Sequence, residues 1–239
     1  MQPSSGRLHS ASLILLVIGA LYGLVLVAVT ALVYGYDTFS RGMSGAAALI
    51  LLATAAGLWR YRPRLARRTE APLVGRAIIV GLGLGILWII EISINNFLAP
   101  PLPARDVIDD AFWAVIAIGI LALAVVDTCR TNRFRAGIEA GVWSGLASGA
   151  TACAMALTLI IFGMPLLMRD PLNVAEWAGR GPDVTAPTMA AYFAFETMAG
   201  ALGHLVLLGV IMGGLLGIVG GLLGKAIRAI RPQVSSEKS

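Results

Sequence analysis

One carboxylate, Glu91, lies inside the apolar run LWIIEISINNFLAP at residues 87 to 100, followed by Ser93 and the pair Asn95-Asn96. In hydrocarbon, a lone carboxylate either keeps its proton or faces a polar cavity, where it takes a cation or passes a proton. On a helix, Asn95 falls one turn from Glu91 on the same face, and Asn96 stands beside it. Other polar groups read at the same depth: Asp109 and Asp110 at the start of the next apolar run, and His204 in the last. The ordinary histidine pKa is about 6.5, so small changes of surroundings set its charge near neutral pH. Glu91, Asn95, Asn96, Asp109, Asp110 and His204 are therefore expected to meet in one polar pocket for an ion or small solute, centred on Glu91. Glu196, two turns before His204, is expected to project into water.

These residues need elements that hold them in lipid. The chain has 239 residues, of which 58% are hydrophobic and 13% charged, with a mean hydropathy of +0.84. A soluble domain carries about a quarter charged residues, so too few charges remain here to coat a water-facing surface. Twenty-eight glycines agree with helices in a bilayer, where Gly is commoner than in soluble helices. The fold class is therefore all-α and polytopic. A crossing takes about 20 apolar residues, and six runs qualify or nearly so: 11–34, 44–60, 75–98, 111–128, 136–166 and 190–225. The second and fourth runs are short and should stand nearly upright. A charged residue at mid-helix costs ~2.5–3.5 kcal/mol and each Leu or Ile returns ~0.3–0.6, so the third run carries Glu91 into the bilayer.

Basic residues set the orientation. Fourteen of the eighteen Lys and Arg lie before run one, between runs two and three, between four and five, or after six. The other loops hold only Arg41, Arg105, Arg169 and Arg180, against Asp37, Asp106, Asp109, Asp110, Asp170, Glu176 and Asp183. Both termini are thus expected in the cytoplasm, with the acidic loops outside a cytoplasmic (inner) membrane. Run one is longer than the 7–15 residues of a signal h-region and reads as a retained span. Residues 1–10 form a short cytoplasmic start, 11–230 one six-span domain, and 231–239 a disordered tail. In the longest acidic loop, 168–189, Leu172, Val174, Ala175 and Trp177 suggest a short interfacial turn.

The net charge of +5 is not a nucleic-acid signature, because no aromatic-rich basic stretch accompanies it. Cys129 and Cys153 lack any CxxC or Cys/His spacing, so no metal is expected. P-loop, dinucleotide and HExxH fingerprints are absent, and no cofactor is expected. The partner implied throughout is lipid, with a homo-oligomer or another membrane subunit as a further expectation.

Two glycine patterns bear on packing. Each odd-numbered run carries Gly-x-x-x-Gly: Gly19/Gly23, Gly81/Gly85 and Gly141/Gly145. Offsets of 62 and 60 residues suggest three helical-hairpin repeats. In run six, Gly209, Gly213, Gly217 and Gly221 make one side-chain-free stripe, suited to close helix approach.

Three functional classes follow. The first is a small transporter, channel or binding protein with an outward-facing pocket around Glu91. Its weakness is that no run is visibly interrupted, as transporter spans often are, and that Glu91 reads as the one carboxylate at depth. The second is a non-catalytic scaffold packing partners through the run-six stripe. The third rests on GMSG, Gly42 to Gly45, which resembles the GxSG nucleophile motif of rhomboid intramembrane proteases. The resemblance implies a serine hydrolase with Ser44 as nucleophile and His204 as its base. It covers four residues; Ser44 precedes the second run rather than the fourth, and the glycines after His204 stand at offsets five and nine.

Overall fold

The computed structural model describes residues 4–66 and 71–230, with side chains placed for 11–60 and 72–230. The tail 231–239 lies outside the described residues, as do the side chains of Arg7, Arg62, Arg64, Arg67 and Arg68. Helices run α1 Ser4–Tyr34, α2 Thr38–Ala66, α3 Ala71–Ser93, α4 Ala104–Thr131, α5 Phe134–Phe162, α6 Met164–Leu167, α7 Pro171–Gly179, α8 Met189–Gly203 and α9 Gly213–Ile230. Two π-helical stretches, Ile94–Leu98 after α3 and His204–Met212 between α8 and α9, continue those helices with a wider turn. No strand occurs among the described residues. Six helical segments are long and apolar enough to cross a bilayer. The protein is an all-α, multi-pass membrane protein.

The segments outrun the apolar runs. Span two covers Thr38–Arg60 (23 residues) and span four Ala104–Thr131 (28 residues), so neither is short. Their helices continue into polar residues, because a capped helix keeps its backbone hydrogen bonds where the hydropathy falls. At the α1–α2 turn the Asp37 carboxylate accepts from the Ser40 N–H at 2.7 Å, while the Ser40 hydroxyl oxygen accepts from the Tyr36 and Asp37 N–H groups at 3.1 Å each. This reciprocal box starts α2 six residues before the apolar run. The fifth run is cut instead, since α5 stops at Gly163. The α3 segment ends at Ala99, in the left-handed region at φ 45°, with Pro100 and Pro101 barring any continuation. The turn expected near Trp177 is a nine-residue helix, α7, with Asp170 as its N-cap and Pro171 at its first position.

Helix α5 is the hub. Of its most apolar window 56% is buried, against 28–39% for the other five spans. Its small residues let neighbours come close. On one side Gly137, Gly141, Gly145 and Gly149 meet Gly221, Gly217, Gly213 and Gly209 in antiparallel register. A Cβ on Gly141 would lie 2.6 Å from the Gly217 Cα, and one on Gly145 would lie 2.9 Å from the Gly213 Cα. The run-six stripe is thus in backbone contact with a second stripe inside the same chain. On the other side α3 approaches, with Gly81 against Ser144 and Gly85 against Thr151. Gly19 faces open space, and Gly23 faces Leu51 and Leu157. The three Gly-x-x-x-Gly motifs therefore occupy three different surroundings.

The helix ends form an acidic end, where Thr185 donates to Asp37, and an arginine-rich end. There Asn132, left-handed at φ 55°, closes α4 and accepts from Lys225 of α9 on its backbone and side-chain oxygens.

Candidate functional site

Two polar sites flank the α3 segment at the acidic end, and each uses one of the adjacent asparagines. Consecutive residues of a helical turn point to different sides of its axis, and here Asn95 and Asn96 meet different neighbours.

Asn95 turns toward α4. It is 8% exposed and Glu91 is 7% exposed. The Asn95 amide donates to Glu91 Oε1 and to Asp109 Oδ1, at 2.5 Å each. One amide thus stands between two carboxylates carried by two spans. Its own oxygen is buried without a hydrogen bond. The nearest cation in this network is Arg105. Its Nη2 donates to the Asn95 carbonyl at 3.1 Å and to Asp170 Oδ2 at 2.8 Å. Asp170, 3% exposed, also caps α7 by accepting from the Leu172 N–H at 3.0 Å. Arg105 therefore ties the π turn of span three to the α6–α7 hairpin.

Asn96 turns the other way, into a cleft of about 280 Å³. Its polar lining is Asn96, Asn173, Glu196, Thr197 and His204; Ile92, Leu159, Leu167 and Phe193 supply the apolar part. Glu196 does not simply leave the molecule, since it is exposed yet lines this cleft. His204 opens the second π stretch inside a helical segment of 42 residues, Met189–Ile230. Its ring packs edge-on against Trp88, centroids 4.8 Å apart, and Trp88 packs likewise on Trp113 at 5.4 Å, the geometry that aromatic quadrupoles favour.

The six residues expected to converge thus divide. Glu91, Asn95 and Asp109 form one cluster, Asn96 and His204 belong to the cleft, and Asp110 is exposed apart from both. The two spans also prove interrupted, by π turns rather than by proline. π turns recur at functional sites because the extra residue re-aims its neighbours.

Glu91 is not the one carboxylate at depth. Asp127, near the arginine-rich end of α4, is fully buried and paired with Arg76 of α3. Arg76 stands in a helix rather than in a loop. Asp127 Oδ2, Arg76 Nε and the Thr128 hydroxyl are buried there without hydrogen bonds. Reasoning from sequence missed Arg105, Asp170, Asn173 and Asp127 as participants. Only Asp170 carried a legible signal, the Asp-Pro pair that starts a helix.

Ser44 and His204 do not form a pair. The Ser44 hydroxyl donates to the Ser40 carbonyl at 2.9 Å, and His204 Nδ1 bonds the Gly200 carbonyl at 2.8 Å. No protein-family model, no curated protein and no solved structure matches the chain.

Proposed function

We propose that this protein binds a small polar solute in the Asn96–Glu196–His204 cleft and moves it across the cytoplasmic membrane. The carboxylate pair Glu91 and Asp109 serves as its proton- or cation-linked partner site. In this reading both termini are cytoplasmic and the cleft opens outward, in keeping with the uneven spread of Lys and Arg. One observation supports the link above others: the adjacent Asn95 and Asn96 of a single π turn serve the carboxylate pair and the cleft respectively. Two carboxylates flanking one amide repel when both are charged, and a proton or cation between them relieves that repulsion. Any shift of the π turn that follows is felt in the cleft. A scaffold docking on the run-six stripe would instead have to displace α5, which covers it.

The test starts with a thermal-shift screen of small polar solutes against the purified protein, since a ligand of the native state raises its melting temperature. A solute found this way should be taken up by proteoliposomes. In Glu91→Gln, uptake is expected to be abolished, with protein accumulating as before. Undiminished uptake by Glu91→Gln would sink the linkage.

A further inference from the structure

We infer that the cleft selects an organic cation, a primary amine or similar donor-rich ammonium with an apolar body; this rests on the reading of the cleft as the solute site. The observation is which hydrogen-bonding atoms are already in use. Asn96 Nδ2 donates to the Ile92 carbonyl at 2.8 Å, and Asn173 Nδ2 donates to the Leu167 carbonyl at 2.9 Å. A carbonyl only accepts, so both amides must present nitrogen there, and their Oδ1 atoms remain for a ligand. His204 follows the same logic. Its Nδ1 faces the Gly200 carbonyl and must carry the proton, so the neutral ring offers Nε2 as an acceptor. Glu196 adds a carboxylate, and among the described residues no Lys or Arg lines the cleft.

One N–H of each amide and the Nδ1 proton of His204 are thus spent on backbone carbonyls, while both amide oxygens, Nε2 and the Glu196 carboxylate remain as acceptors. The donors left are the second amide N–H groups and the Thr197 hydroxyl. An anion meets only neutral donors and the charge of Glu196, whereas an ammonium, with its N–H donors, matches that carboxylate and several neutral acceptors at once. The remaining lining separates an organic cation from an inorganic one. Leu159, Leu167 and Phe193 cannot coordinate a bare ion but favour a hydrocarbon body, and about 280 Å³ exceeds what an ion fills.

Isothermal titration of the full-length protein in nanodiscs, with empty nanodiscs as control, decides this. The probes are methyl-, butyl- and 2-phenylethylammonium, butyrate, 1-butanol and potassium. The ammonium probes are expected to bind saturably, each methylene raising affinity about threefold to fourfold, and butyrate and potassium not to bind. Glu196→Gln should weaken butylammonium at least about tenfold, while Asp110→Asn, which removes an exposed carboxylate of the same end, should leave it unchanged. Binding of butyrate, butanol or potassium in place of the ammonium probes overturns the cation assignment and leaves a solute site standing. Binding of no probe overturns both. Equal affinity in Glu196→Gln, in protein whose helical circular dichroism is intact, overturns the role of that carboxylate.

Discussion

Asn95 and Asn96 carry the division of labour at the residue scale. Both were legible as polar groups beside Glu91, because a helix puts i and i+4 on one face. That Asn95 would bridge to Asp109 was not, since α4 can rotate by any angle without altering the sequence pattern. Arg105 and Asp170 were hidden for the same reason: in the letters they are two loop charges among eleven at that end. Asp37 permits a residue-scale prediction. The backbone N–H of Ser40, helped by the hydroxyls of Ser40 and Thr185, holds its carboxyl below the usual carboxylate range. A carboxyl lowered on folding stabilises above its unfolded pKa, about 3.9, and that contribution is lost as the pH falls through its own lower value. The melting temperature of the wild type should therefore exceed that of Asp37→Ala most at neutral pH, and the gap should close as acidification takes the pH below the usual carboxylate range. Asp37→Asn keeps a capping acceptor, and the gap between its melting temperature and that of Asp37→Ala should not close on acidification in this way.

At the scale of elements, the six spans followed from apolar length alone, while their ends did not. Caps such as Asp37, Thr188 and Asp170 extend or start helices beyond the hydrophobic run, and a hydropathy window averages those residues away. The π stretches were equally invisible, because an i→i+5 ladder has no composition of its own. The stripe in span six was legible; its partner stripe in α5 was seen only as a possible repeat motif. The seam between them makes a clear prediction. Gly145→Ala places a methyl 2.9 Å from the Gly213 Cα, and backbone cannot yield as a flexible side chain does. A loss of about 1–3 kcal/mol or more is expected, read as a lower melting temperature in detergent. Gly83→Ala, where the new methyl meets nothing within 4 Å, should be neutral or stabilising by up to about 1 kcal/mol. If the two variants melt alike, close packing does not hold α5 to span six.

For the whole molecule, composition assigned the solvent and the fold class, and α5 became the hub for reasons that composition also hinted at in its small residues. Orientation rests on charge. A fluorescent reporter fused after Ser239 should mature in the cytoplasm, and a phosphatase inserted near Arg180 should be active outside. The reverse pair of results would invert the bundle and turn the cleft toward the cell interior. Ion pairs clasp α4 at both ends, Arg76–Asp127 at one and Arg105–Asp170 at the other, so α4 cannot tilt without breaking one of them.

The length of the sixth segment has a consequence for the membrane itself. Forty-two helical residues extend about 60 Å at 1.5 Å each, twice the hydrocarbon thickness of about 30 Å. Even at a steep lean of about 40°, roughly 15 Å lies outside the hydrocarbon. The first part of the segment, α8, is apolar apart from residues such as Glu196 and packs against α1, α2 and α5. The excess then lies at the depth of the headgroups, within the roughly 40–45 Å of a whole bilayer, so a molecule arriving from water meets protein among the headgroups before it meets hydrocarbon.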